Sequence, residues 1–145
     1  MTQHSPYPDA KTHKGWYSRG FIPHFDQPGL IQGITFRLAD SLPAHVIATM
    51  AEELDEKSSE VKRATVEKYL NAGYGACHLR EPRIGQFVEG AFLFFDGKRY
   101  RLLAWVVMPN HVHVLIQLRE GYPMHKIIHS WKSFTANEAN KLLGL

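Results

Sequence analysis

Two histidines one residue apart, His111 and His113, sit in an apolar run from Leu102 to Leu118 that is broken only at Pro109-Asn110. If the run beyond that break is a strand, successive side chains alternate between faces and each residue rises roughly 3.3 Å, so both imidazoles point the same way about 7 Å apart. One divalent ion can take both, and imidazole ligands on their own suit zinc or another transition ion. The alternation supports this placement. Val112, Val114, Ile116 and Leu118 fall on one face, fit for a core, while His111, His113, Leu115 and Gln117 fall on the other, free to hold a site. Gln117 stands about 13 Å beyond His113 along such a strand, too far to join an ion with ligand bonds near roughly 2 Å. With 9 histidines in 145 residues, a pair at this spacing arises by chance about half the time, so the pair alone decides little.

The rest of the chain must supply an element on each side of that strand. Leu30 to Leu38 alternates, with Ile34, Phe36 and Leu38 on one face and Thr35 and Arg37 on the other, and reads as the first strand. Asp40 and Ser41 are capping residue types and Pro43 suits a first turn, so a helix begins there with Val46, Ile47, Met50 and Leu54 on its apolar stripe. Ser58-Ser59 interrupts it. A second helix follows to about Leu70 with Val61, Thr65 and Tyr69 in register, and Gly73 ends it. Residues 71 to 83 read as a loop. A third helix, about Ile84 to Phe95, keeps i, i+3, i+4 spacing through Ile84, Phe87, Val88, Ala91 and Phe92. Asp96-Gly97 turns the chain into a strand from Tyr100 to Met108, apolar on both faces at its end and so expected at the centre of the sheet. After the histidine strand, Gly121 and Pro123 precede a helix of about five turns ending near Leu143, with Ile127, Ile128, Trp131, Phe134 and Leu142 inward.

The length suits one domain with one core, taken as residues 15–145 behind a polar tail, residues 1–14, that is expected to be disordered. The formal charge is +3, but five of the 14 acids lie between Glu52 and Glu60 against the single base Lys57. That leaves 16 basic and 9 acidic residues elsewhere, a body suited to a polyanion and an acidic run read as a solvated face. Cys77, the one cysteine, excludes an internal disulfide, fits a reducing compartment and reads as a small buried residue. No apolar run has the length of a signal peptide or membrane span, so the expected location is the cytoplasm.

Candidate nucleic-acid contacts follow from the basic residues. Arg19 lies with Trp16 and Tyr17 in an aromatic, Gly- and Pro-rich arm, where rings and guanidinium planes can stack on unpaired bases. Arg80 and Arg83 belong to the loop, Arg37 to the polar face of the first strand, and Lys126 and Lys132 to the last helix, all placed to meet phosphates. His125 and His129, one helical turn apart, read as solvent-facing residues.

The string Ala104-Trp105-Val106-Val107-Met108-Pro109-Asn110-His111-Val112-His113-Val114 resembles the His-hydrophobic-His signature of the single-strand DNA transposases that use one catalytic tyrosine. Gly15-Trp16-Tyr17-Ser18-Arg19-Gly20-Phe21, Thr35-Phe36-Arg37-Leu38, Leu79-Arg80-Glu81-Pro82-Arg83 and Trp131-Lys132-Ser133-Phe134-Thr135 are similar to the branch associated with repetitive extragenic palindromes. The resemblance implies an α+β, ferredoxin-like antiparallel sheet with helices on one face. A helical insertion would follow the first strand, and the fourth strand would be missing. It implies His111 and His113 as ligands of a magnesium or manganese ion, and single-stranded or hairpin DNA as partner. The family's last strand and tyrosine-bearing helix have no counterpart, so no catalytic residue is assigned, and Tyr69, Tyr74, Tyr100 and Tyr122 are read as structural. The family's third ligand is missing with them; His24 and His78 are the substitutes considered, and weak ion binding is expected. A missing fourth strand would leave an edge of the first strand to be covered by the arm or by a second copy in a homodimer. The main alternative is a non-catalytic nucleic-acid-binding module; a metal or small-ligand sensor on the same fold ranks behind it.

Overall fold

The computed structural model describes residues 15–18 and 23–145. Two short strands, β1 (Gly15–Ser18) and β2 (Pro23–Asp26), precede β3 (Ile31–Arg37), and the helices α1 (Ala44–Leu54) and α2 (Ser59–Asn71) follow. A single 3-10 turn (His78–Arg80) leads into α3 (Pro82–Phe94), then β4 (Tyr100–Val107), β5 (His111–Leu118) and α4 (Met124–Leu143). The architecture is α+β around a three-stranded antiparallel sheet in the order β3-β5-β4. β5 runs from Gln117 opposite Ile31 to His111 opposite Arg37, and its other edge pairs with β4 from Tyr100↔Leu118 to Val107↔Val112.

That order places the histidine strand at the centre and overturns the expected central position of residues 100–108. β4 is an edge strand, and a register shift between Leu102 and Ala104 brings Val106 opposite His113. Its apolar residues are therefore not all enclosed: Trp105 is 37% and Val106 46% exposed. β1 and β2 pair with each other in a separate sheet, so among the described residues no strand pairs with the outer edge of β3. Expected cover of that edge by the arm is thus not seen in the ladder. The arm instead reaches α4, where the buried Asp26 carboxylate accepts a hydrogen bond from the Met124 amide at 3.2 Å. An anion is stabilised there by the unsatisfied amides of a helix start.

One face of the sheet carries the core. Ile34, Val112, Val114, Ile116 and Leu118 pack against Ile84, Val88 and Phe92 of α3 and Met124, Ile127 and Trp131 of α4. Trp131 stands edge-on to Phe92 and Tyr100, at 4.9 and 5.2 Å between ring centres, and its indole N–H donates to the Tyr100 hydroxyl at 3.0 Å. That hydroxyl donates in turn to the Phe92 carbonyl, so both polar atoms of the pair are satisfied inside an apolar cluster. Phe134, expected inward, lies 46% exposed a turn beyond the sheet contact.

α1 and α2 form a second, smaller cluster from Val46, Met50, Leu54 and Leu70. The stripe on α1 is the expected one. The stripe expected on α2 holds only in part: Tyr69 packs against this cluster, but Val61 is exposed and the buried residue is Leu70. Ser58 does cap α2, accepting from the Val61 amide, but Asp40 and Ser41 do not cap α1, whose N-cap is Pro43. The Ser41 hydroxyl donates to the Leu38 carbonyl. Asp40 accepts from the Ala76 amide at 2.8 Å, which pins the loop after α2 against the end of β3. Gly75 makes this approach feasible, because a Cβ there would come within 2.5 to 2.7 Å of Asp40 and its φ is +88°. The stretch read as loop also contains the 3-10 turn, and α3 begins two residues early at Pro82, whose fixed φ suits a first helical position.

Candidate metal centre and groove

His111 and His113 lie on the face of β5 opposite the valines, as alternation requires, with ring centres 4.9 Å apart and planes nearly perpendicular. The third partner comes from α2. Glu67 Oε1 lies 3.0 Å from His113 Nε2 and 3.5 Å from His111 Nε2, and one ligand atom from each of the three residues falls within 4.8 Å of the others. For bonds of about 2.1 Å, neighbouring ligands of an octahedral ion are about 3 Å apart, so the two carboxylate distances already fit a shared ion. Among the described residues this is the group of three or more such side chains placed for a metal, and it does not include His78. The side chain of His24 lies outside the described residues. Glu67 is thus a candidate third ligand beyond the two histidines expected from the sequence.

The ring nitrogens are sorted by their other contacts. His111 Nδ1 is 2.8 Å from Asn110 Oδ1, and His113 Nδ1 is 2.7 Å from Thr35 Oγ1 on the neighbouring strand. Both Nε2 atoms therefore face Glu67. His111 Nε2 is buried without a hydrogen-bond partner, an arrangement that costs free energy unless an ion or proton occupies the space. Burial pushes the His111 imidazole below its ordinary pKa, opposed by the attraction of Glu67 and reinforced by His113. Burial thus favours the neutral, lone-pair-bearing ring, the form in which histidine binds metals.

Glu67 was legible only in part. It sits one turn before Leu70, the buried residue of α2, so it shares the inward side of an otherwise polar helix. The signal was an acid on an apolar stripe, and it was hidden by reading that stripe through Val61, Thr65 and Tyr69.

A groove of about 1280 Å³ begins at Glu67 and His113 and wraps the edge of β3, with α2 on one side and α4 on the other. Arg37, Arg63 and Lys132 line it. Arg37 is partly committed, its Nη1 donating to the carbonyls of Leu38 and Ala39 at 3.2 Å. Lys132 is exposed, with its ammonium 5.6 Å from the centre of the Phe36 ring. Arg63 was missed by sequence reasoning. Of the other expected contacts, Arg80, Arg83 and Lys126 do not line the groove, and Arg19 lies outside the described residues. Arg83 is paired at 3.0 Å with Glu81, the residue that caps α3. Arg80 is exposed on the 3-10 turn, which is fastened to the β4–β5 connection by the Leu79 amide on the Pro109 carbonyl.

Two of the tyrosine hydroxyls are committed away from the triad. Tyr69 donates to Glu53 at 3.0 Å, which raises its pKa, and Tyr100 is buried. No helix among the described residues is long and apolar enough to cross a membrane.

No curated protein and no solved structure matches the chain. A family model does match: residues 87–143, which hold β4, both histidines of β5 and α4, fit the family described as Transposase IS200 like. Over the part of the chain that builds the histidine strand and its neighbours, the resemblance read from the residues is thereby shown, and this chain is similar to a family of transposases.

Proposed function

We propose that this protein binds single-stranded or hairpin DNA at a divalent-ion site formed by Glu67, His111 and His113. The observation that carries the reading is the convergence of one carboxylate oxygen and two imidazole nitrogens, one of them buried and without a hydrogen bond, at the mouth of a groove lined by Arg63 and Lys132. An ion held there would polarise a phosphate oxygen of a bound strand. Two nitrogens and one oxygen suit manganese better than magnesium, which favours an oxygen shell. The chain's own residues would orient that strand: Arg63 and Lys132 hold phosphates, while the apolar Leu115 and Val106 beside His113 leave room for bases on the open sheet face. With Tyr69 and Tyr100 turned to other partners, the reading is of DNA binding without a covalent protein–DNA link made by either of them.

The test is a manganese titration and an oligonucleotide titration on the wild type, Glu67→Ala and the double variant His111→Ala, His113→Ala. The wild type should bind one ion, and both variants should lose it. Single-stranded and hairpin DNA should bind more tightly than duplex, with affinity falling steeply as salt rises. Identical ion curves for all three proteins, or a salt-independent preference for duplex, would defeat the reading.

A second occupant of the same edge is proposed on a different observation. The register turns the backbone groups of Ile31, Gly33, Thr35 and Arg37 away from β5, and no described strand receives them. The same edge of a second copy would satisfy them in a homodimer. Gly33→Pro removes an outward amide without touching the β5 ladder and should leave a monomer by light scattering. Strand and DNA would compete for the groove, so oligonucleotide should dissociate the wild-type dimer. An unchanged mass for the proline variant would count against the dimer alone.

A further inference from the structure

Asn110 is buried in the turn that enters β5, and all its side-chain atoms are engaged. Its amide nitrogen lies 3.2 Å from the Leu70 carbonyl and 3.1 Å from the Tyr74 carbonyl. Carbonyl oxygens only accept, so the –NH₂ group must face them; the flipped amide would set three oxygens against one another. The other end of the amide is then the oxygen, 2.8 Å from His111 Nδ1. An amide oxygen also only accepts, which places the His111 proton on Nδ1 and leaves the lone pair on Nε2, facing Glu67.

The two carbonyls held by the –NH₂ group are not incidental. Leu70 closes the buried side of α2 one turn after Glu67, and Tyr74 lies just past the helix end. The same side chain that sorts the nitrogens of His111 therefore ties down the helix that carries the carboxylate. We infer that Asn110 is a positioning residue that sets two of the three candidate ligands at once, His111 by choosing its tautomer and Glu67 by fastening α2. This rests on the reading that the triad holds an ion, but its first half is a property of the metal-free protein. Asp40, which fastens the same loop through the Ala76 amide without touching His111, is the internal control.

The experiment has two arms. In the first, ¹⁵N-detected imidazole spectra of the metal-free protein should show His111 with its proton on Nδ1 in the wild type and in Asp40→Ala. That preference should disappear in Asn110→Ala. A turn residue with a merely structural role would lower stability without moving the tautomer. If Asn110→Ala does not fold, Asn110→Asp serves, because it keeps an acceptor for Nδ1 while losing the donors to α2; it should retain the tautomer and still weaken the ion. In the second arm, Asn110→Ala should cost about 10 to 100-fold in manganese affinity. That penalty should shrink by roughly threefold or more in a Glu67→Gln background, which keeps a weaker oxygen ligand, the signature of two residues acting through one another. An unchanged tautomer in Asn110→Ala overturns the first half of the inference, and an equal penalty in both backgrounds overturns the second. If no variant and not even the wild type binds manganese, the ion reading fails and the claim about Glu67 fails with it, while the tautomer result stands by itself.

Discussion

The two faces of the sheet are built from the same three strands and obey opposite rules. On one, Val112, Val114, Ile116 and Leu118 are closed over by α3 and α4, and the polar atoms of the central Trp131–Tyr100 pair have partners. On the other, α2 reaches only the end where Glu67 meets the histidines, and Leu115 and Val106 stay partly in solvent. The first face can stabilise the fold whatever the second does. The second can keep a costly feature, a buried nitrogen without a hydrogen bond, because the first supplies the stability.

The sharpest test of that division sets Trp131→Ala against His113→Ala. The tryptophan fills the centre of the closed face and hydrogen-bonds Tyr100, so its removal should cost about 3 to 5 kcal/mol by denaturant unfolding. His113→Ala should change stability by no more than about 1 kcal/mol in metal-free protein, since its partners Thr35 and Glu67 can turn to water. Comparable losses would mean that the two faces are not separable.

Ion-linked stability comes next in size. Manganese at 100 times its Kd should stabilise the wild type by about 2.7 kcal/mol, read as a rise in Tm that a chelator reverses. The same ion should leave Glu67→Ala unmoved. A rise of equal size in that variant would place the ion elsewhere.

Smaller still is the effect of polar substitution on the open face. Leu115→Ser should fall within about 0.5 kcal/mol, because the side chain is 37% exposed, whereas Val114→Ser next to it should cost at least about 2 kcal/mol. The smallest effect is at the acid end. Hydrogen bonds from Arg83 hold the Glu81 carboxyl below the usual carboxylate pKa. The stabilisation it gives the start of α3 is therefore present above the unfolded-state value of 4.5 and is lost as pH falls through the lowered one. Glu81→Gln should remove that segment of the pH–stability curve by lowering the neutral plateau slightly, so that variant and wild type converge at acid pH.

The closed face was readable from the chain because it depends on local pattern. Alternation placed Val112 to Leu118, and helical spacing placed Ile84 to Phe92 and Ile127 to Trp131. Strand order was harder to read: apolar residues on both faces of β4 suggested a central strand, yet they reflect an edge whose register shift exposes Val106. The site was half legible. His111 and His113 share a strand, so period two finds them, but Glu67 reaches them from 46 residues away and no local rule connects the two segments. Asp40 looked like a cap because caps and loop anchors use the same short carboxylate, and only the tertiary contact with Ala76 distinguishes them.

The distances along the chain carry a consequence for the order of folding. The β4–β5 hairpin joins near neighbours, whereas the contacts that complete the site span 46 residues for Glu67 and His113, 36 for Asn110 and Tyr74, and 78 for Thr35 and His113. Closing longer loops costs more entropy and comes later unless local structure assists it. The hairpin with its two histidines can thus form early, but the carboxylate arrives only when β3 and α2 have docked. An ion that needs all three ligands is then captured by the finished fold and not by a partly folded hairpin, so its uptake should lag behind the burial of Trp131 during refolding.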